Sequence, residues 1–201
     1  TFAGALGHGA TRDEVFATLL AQAIQGEADG GGLLAYNYLA GEPITGLAEG
    51  RPLLVRTPDS TLSLANFMRA QVYGAFGTLS LGMRILNAEG VEVDALLAHG
   101  GLFRTAGVAQ RLLAAAVGTN VAVGETASEG GAWGIAVLAA YSSAVRTQPD
   151  LTLASYLDDQ VFASAPTVVV EPDPDDMIGY ARFLEAYEAG LAIEHAAIAA
   201  V

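Results

Sequence analysis

Val93-Asp94-Ala95-Leu96-Leu97-Ala98-His99-Gly100-Gly101-Leu102-Phe103-Arg104-Thr105 runs apolar, meets a double glycine and opens onto a helix-like segment, Ala106 to Val117. A buried strand ending in Gly-Gly before a helix brings bare backbone N–H groups to one point. α/β proteins hold phosphates and nucleotides in this way. The same residues also make an ordinary tight turn, so the flanking sequence has to separate the two readings.

On the C-terminal side, Gly118 closes the 106–117 helix and Asn120 to Val123 reads as a short strand. Thr126…Glu129 has the spacing of a capping box, which sets a structural role for Glu129 beside any functional one. The helix it opens, Gly130 to Ser143, is rich in Gly, Ala, Ile, Val and Leu. Such a composition predicts a sandwiched, mostly buried helix. A short helix is expected over 149–160 and a strand over 167–170. In the last helix Asp173 serves as N-cap, Pro174 takes the first position and acids sit at the positive end of the dipole. Its apolar face is Met177, Tyr180, Leu184, Tyr187, Leu191 and Ile198.

On the N-terminal side, Thr11-Arg12-Asp13-Glu14 is a capping box. Val15, Phe16, Leu19, Leu20, Ala23 and Ile24 follow as one helical face, which Gly26 and Gly30-Gly31-Gly32 terminate. Leu33 to Leu39 is a strand. A loop over 44–58 contains a possible short strand, Pro52 to Arg56. Ser60 or Ser63 then caps the longest helix, whose stripe is Leu64, Phe67, Met68, Val72, Phe76, Leu79, Met83 and Leu86. Gly74, Gly77 and Gly82 inside it each cost about 1 kcal/mol against alanine, which predicts close approach of another backbone. Strands alternating with helices indicate an α/β architecture. The strands are few for 201 residues, so the sheet reads as incomplete.

Composition narrows the functions. Hydrophobic residues make up 52% and charged residues 15% of the chain, as expected of a domain with a buried core. The net charge is -13, all nine basic residues are arginine, and nucleic-acid binding is not expected. There is no cysteine, so disulfides and zinc-thiolate sites are excluded. No apolar run is long enough to span a membrane, and Thr1-Phe2-Ala3-Gly4 is neither an initiator sequence nor a signal peptide. A processed or partial chain is expected, cytoplasmic in location. His8, His99 and His195 lack metal-ligand spacing, and the acids 171–176 cap a helix rather than form a calcium loop. No Walker lysine, GxSxG, GxGxxG or nucleophile-base pair occurs, so no catalytic base is evident.

Four segments in order resemble the C-terminal domain of the FGGY carbohydrate kinases, the group of xylulokinase, ribulokinase and glycerol kinase. They are Tyr36-Asn37-Tyr38-Leu39-Ala40-Gly41-Glu42-Pro43, Arg69-Ala70-Gln71-Val72-Tyr73-Gly74, His99-Gly100-Gly101, and Glu125-Thr126-Ala127-Ser128-Glu129-Gly130-Gly131-Ala132-Trp133-Gly134. The chain departs from the family pattern at Asn37 and Pro43, at Tyr73 where Glu is usual, and over Leu102-Phe103-Arg104-Thr105.

The resemblance implies an actin-like ATPase (ribonuclease H-like) C-terminal lobe, a partial α/β unit with its sheet flanked by helices, spanning 1–201. The N-terminal lobe and the first strands of this lobe, with their phosphate hairpin, are implied to lie outside the chain. It further implies ATP with Mg²⁺ as cofactors, and a sugar substrate held mainly by the other lobe. No catalytic residue and no metal ligand are expected in this chain; the base is an aspartate of the N-terminal lobe. Gly100, Gly101, Leu102, Phe103 and Thr105 are the implied ATP-binding residues, with His99, Glu129 and Gly130 flanking them. Phe103 either packs on adenine or fills the core. D-xylulose is the expected substrate, with L-ribulose or glycerol as alternatives. A non-catalytic actin-like ATP-binding or oligomerisation module is the competing class. A homodimer is allowed, with the glycine-bearing helix 63–86 as a packing surface.

Overall fold

A computed structural model describes residues 9–124, 130–163 and 166–200. The first helix, α1 (Arg12–Gln22), starts as its capping box dictates. The Thr11 hydroxyl accepts the Glu14 N–H at 3.3 Å, and the Glu14 carboxylate accepts the Thr11 N–H at 2.8 Å. Only its far end reaches the core: Leu20 and the following Ala23 are buried, while Phe16 is exposed.

Strands β1 (Leu33–Tyr36) and β2 (Leu53–Arg56) form an antiparallel pair, with Leu33 opposite Arg56 and Tyr36 opposite Leu53. Helix α2 (Leu64–Ala88) is capped by Ser63, whose hydroxyl accepts the Asn66 N–H at 3.1 Å. A second, three-stranded sheet has the order β3 (Ala95–Ala98), β4 (Asn120–Gly124), β5 (Thr167–Val170). β3 and β4 are parallel, joined through α3 (Val108–Val117), and β5 is antiparallel to β4. The buried Gln110 amide of α3 donates to the carbonyls of Val121 and Val168 at 2.8 and 2.7 Å, which ties the helix to two strands at once.

The remaining elements are α4 (Gly130–Ala144), the short α5 (Leu153–Tyr156) and α6 (Pro174–Ala200). The 149–160 segment is helical only from Leu153, because Thr152 caps it by accepting the Ser155 N–H at 3.1 Å. It then widens into a π-turn over Leu157–Val161.

The core lies where α2, α3 and α6 meet β1 and β4. Aromatic rings of α6 fill much of it: Tyr187 stacks on Tyr36 with centroids 4.7 Å apart, and Tyr180 meets Tyr73 edge-on at 4.8 Å. The glycines of α2 divide by function. A side chain at Gly74 would strike the Ala35 carbonyl of β1, and one at Gly77 would lie 2.7 Å from the Tyr187 ring. Their expected close approach is therefore internal to the fold, whereas Gly82 meets only the tip of Ile44, at 4.0 Å.

Expectations of burial fail in two elements. The strand ahead of the double glycine is not buried: β3 alternates exposed and half-buried residues, and Leu97 is 76% exposed. No residue of α4 is buried; Ile135 is 69% and Leu138 47% exposed. The helix touches the 151–162 segment through Trp133 on Phe162, Tyr141 on Tyr156 and a Tyr141 hydroxyl donated to the Leu151 carbonyl. Apolar composition predicts that a helix needs covering, but not that this chain supplies the cover.

Candidate functional site

The end of β3 runs straight into the double glycine. Gly100 has φ +114°, a conformation that a side chain resists, so the reversal after His99 depends on glycine there. The chain then closes a single 3₁₀ turn over Gly101–Arg104, in which the Phe103 N–H donates to the Gly100 carbonyl at 3.0 Å. Gly107, also at positive φ, leads into α3. The segment is thus a strand, a tight reversal and a helix start on one edge of the sheet.

Side chains added at Gly100 and Gly101 would meet nothing within 4 Å. Among the described residues nothing lies over either position, and at Gly101 no contact among them calls for glycine. That fits a surface reserved for backbone to meet ligand. With no lysine in the chain, a phosphate would be held by backbone N–H groups, arginine or neutral polar side chains.

The other expected residues divide. Leu102 and Phe103 are half-buried and pack against the core, which anchors the turn from beneath. Thr105 is half-buried where the turn ends. His99 is exposed, and its ring lies directly over Gly130 at the start of α4. Two flanking residues 31 positions apart in sequence are therefore neighbours in space. Glu129, with the rest of 125–129 and the capping box expected there, lies outside the described residues.

The acids of 171–176 act as caps, and one does more. Asp173 accepts the N–H groups of Asp175 and Asp176 at 3.0 and 3.1 Å. Those backbone bonds, Asp176's foremost, hold its carboxyl below the ordinary carboxylate range. Asp176 itself is buried between two arginines. It accepts from Arg69 of α2 at 3.0 Å and from Arg111 of α3 at 2.5 Å. Arg69 also donates to the Ala23 and Ile24 carbonyls and to the Tyr73 hydroxyl. Tyr73, the residue that stands where the family has Glu, passes its own hydroxyl hydrogen to the Ala28 carbonyl at 3.0 Å. Burial pushes this phenol up to about 12. The sequence reading missed this network, although Arg69 and Arg111 were visible as arginines on the apolar faces of helices. Among the described residues no cluster of His, Asp or Glu is arranged to hold a metal ion.

Comparison with known proteins bears on the whole arrangement. The domain described as "FGGY family of carbohydrate kinases, C-terminal domain" matches residues 3–143. No match is found among curated proteins. Among solved structures, a xylulose kinase from Rhodospirillum rubrum superposes with a TM-score of 0.67 at 21% identity, over 92% of this chain and 35% of its own. A gluconate kinase from Lactobacillus acidophilus gives 0.68 at 22% identity, over 91% and 35%. A ligand-bound xylulose kinase from the same organism gives 0.66 at 21%, over 91% and 36%. The chain thus spans about a third of the length of the solved structures that share its fold.

Proposed function

The chain belongs to the FGGY family of carbohydrate kinases, whose C-terminal domain it matches, and on that premise we propose that it is the nucleotide-binding lobe of an ATP-dependent sugar kinase. The observation that carries the proposal is the open reversal at Gly100–Gly101 on the end of β3, inside the matched region. The preferred acceptor is a pentulose such as D-xylulose. L-ribulose, glycerol and gluconate are the other acceptors to be tested, and a cytoplasmic location suits such substrates.

In this reading Gly100 and Gly101 let the backbone approach the adenosine and its phosphates. Leu102 and Phe103 root the turn in the core, and Thr105 borders the adenine side. An acceptor hydroxyl oxygen bonds to the γ-phosphorus while the bond from that phosphorus to ADP breaks. The hydroxyl proton passes to an aspartate of the N-terminal lobe, outside this chain. Mg²⁺ neutralises phosphate charge and is held by the phosphates and water. Closure of the two lobes excludes water.

The test is a coupled ADP-release assay on the full-length protein across ketoses, polyols and gluconate, with Gly101→Ala and Gly101→Val beside the parent. The variants should raise the ATP KM by about tenfold or more, with the valine the worse, and change the sugar KM little. ATP use unaltered by the valine would sink the site. An intact protein that releases no ADP with any acceptor while still binding ATP would favour the non-catalytic actin-like module instead.

A further inference from the structure

We infer that His99 is a positioning residue of the nucleotide edge, acting through Gly130. The inference rests on the kinase reading and adds a residue pair that sets its geometry. Helix α4 contributes nothing to the buried core, so core packing does not fix where its first turn stands relative to β3. The His99 ring does reach it. A side-chain carbon at Gly130 would collide with Nδ1 of His99 and lie 3.0 Å from its Cγ. Because Cγ is the first ring atom, the ring cannot make way by swinging its far end and would have to leave by rotating about χ1. The ring therefore occupies the volume that a Cβ would take. It bridges the strand end beside Gly100 and the first turn of α4.

Gly130 is the first residue of α4. Alanine there would otherwise favour the helix. The sign of its effect should thus depend on whether His99 is present, which a purely local preference cannot produce.

The experiment is a double-mutant cycle on the full-length protein: His99→Ala, Gly130→Ala, the double variant, and His99→Phe. ATP KM, kcat and thermal midpoint without nucleotide are measured for each. Gly130→Ala should raise the ATP KM by about fivefold and leave kcat within about twofold. The double variant should be no worse in ATP KM than His99→Ala alone, with a midpoint at or above that of His99→Ala. His99→Phe, which keeps a ring over Gly130 but no nitrogen, should recover most of the KM lost in His99→Ala.

Additive effects in the cycle overturn the coupling. His99→Phe as poor as His99→Ala overturns positioning in favour of a nitrogen that touches the ligand. Midpoints that shift while the ATP KM stays constant reduce the contact to packing and overturn its role at the site. A parent protein that binds no ATP overturns the nucleotide reading itself and the positioning role with it. In that case coupled midpoints would still separate that failure from absence of the contact.

Discussion

Asp176 shows how one side chain can hold three helices. It lies on α6, is buried, and takes one arginine from α2 and one from α3. The partners differ in environment: the Arg69 side chain is 2% exposed and that of Arg111 41%. Breaking a buried pair strands the remaining charge, which costs about 3–5 kcal/mol, whereas a half-exposed partner is screened and contributes about 1 kcal/mol or less. Asp176→Ala and Arg69→Ala should therefore lower the urea midpoint far more than Arg111→Ala does. Equal shifts for the two arginine variants would refute this ordering. Tyr73 is part of the same network. The hydroxyl keeps a hydrogen-bond partner for Arg69 and Asp176 supplies the neutralising charge. Sequence could not show it, because positions 69, 111 and 176 are brought together only by the fold. By contrast, the caps at Thr11, Ser63 and Asp173 were legible, since each bonds to backbone within three residues of itself.

At the scale of elements, periodicity located the helices of the core and all five strands, with boundaries shifted by a few residues. It also marked the double glycine as the strand-to-helix reversal. What it could not assign was the covering of each face. The stripe of α2 and the Gly-Ala face of α4 look equally in need of partners. Yet α2 is packed by β1, α3 and α6, while among the described residues α4 meets 151–162 through two aromatic pairs and the Tyr141 hydroxyl, and His99 at its first residue. Glycines report such packing once coordinates are known. Gly74 sits against the Ala35 carbonyl and Gly77 against the Tyr187 ring, so alanine at either should destabilise by about 1–3 kcal/mol through overpacking. Gly82 has room, and alanine there should stabilise by about 0.5–1 kcal/mol through helix propensity. Thermal midpoints of the three variants test the contrast. A stabilising Gly74→Ala would mean that β1 does not approach α2 as described. The inward use of Gly74 and Gly77 also removes them from any surface through which two copies might associate.

At the scale of the molecule, the order of four weak motifs pointed to the family where none did so singly, because a shared fold constrains their sequence order more than their individual residues. The same scale determines the division of labour. A general base must come within hydrogen-bond reach of the hydroxyl it deprotonates. Among the described residues two carboxylates are buried: Asp176 lies between two arginines, and Glu194 accepts the Arg51 N–H through Oε1 at 2.6 Å, tying the 43–52 loop to α6, while its Oε2 has no hydrogen-bond partner. Asp173 is engaged by the first turn of α6. The proposed nucleotide edge would be built instead from glycine, apolar side chains and backbone. The 201-residue chain on its own should accordingly release no ADP above background when given ATP, Mg²⁺ and D-xylulose, L-ribulose, glycerol or gluconate, while the full-length protein turns over its acceptor. The measurement is ADP release at matched molar concentration, with ATP binding to each followed in parallel. Binding without turnover by the short chain is the expected pair of results. Turnover by the short chain would mean that a carboxylate within it reaches the acceptor, and the base would then have to be sought here rather than in a second lobe.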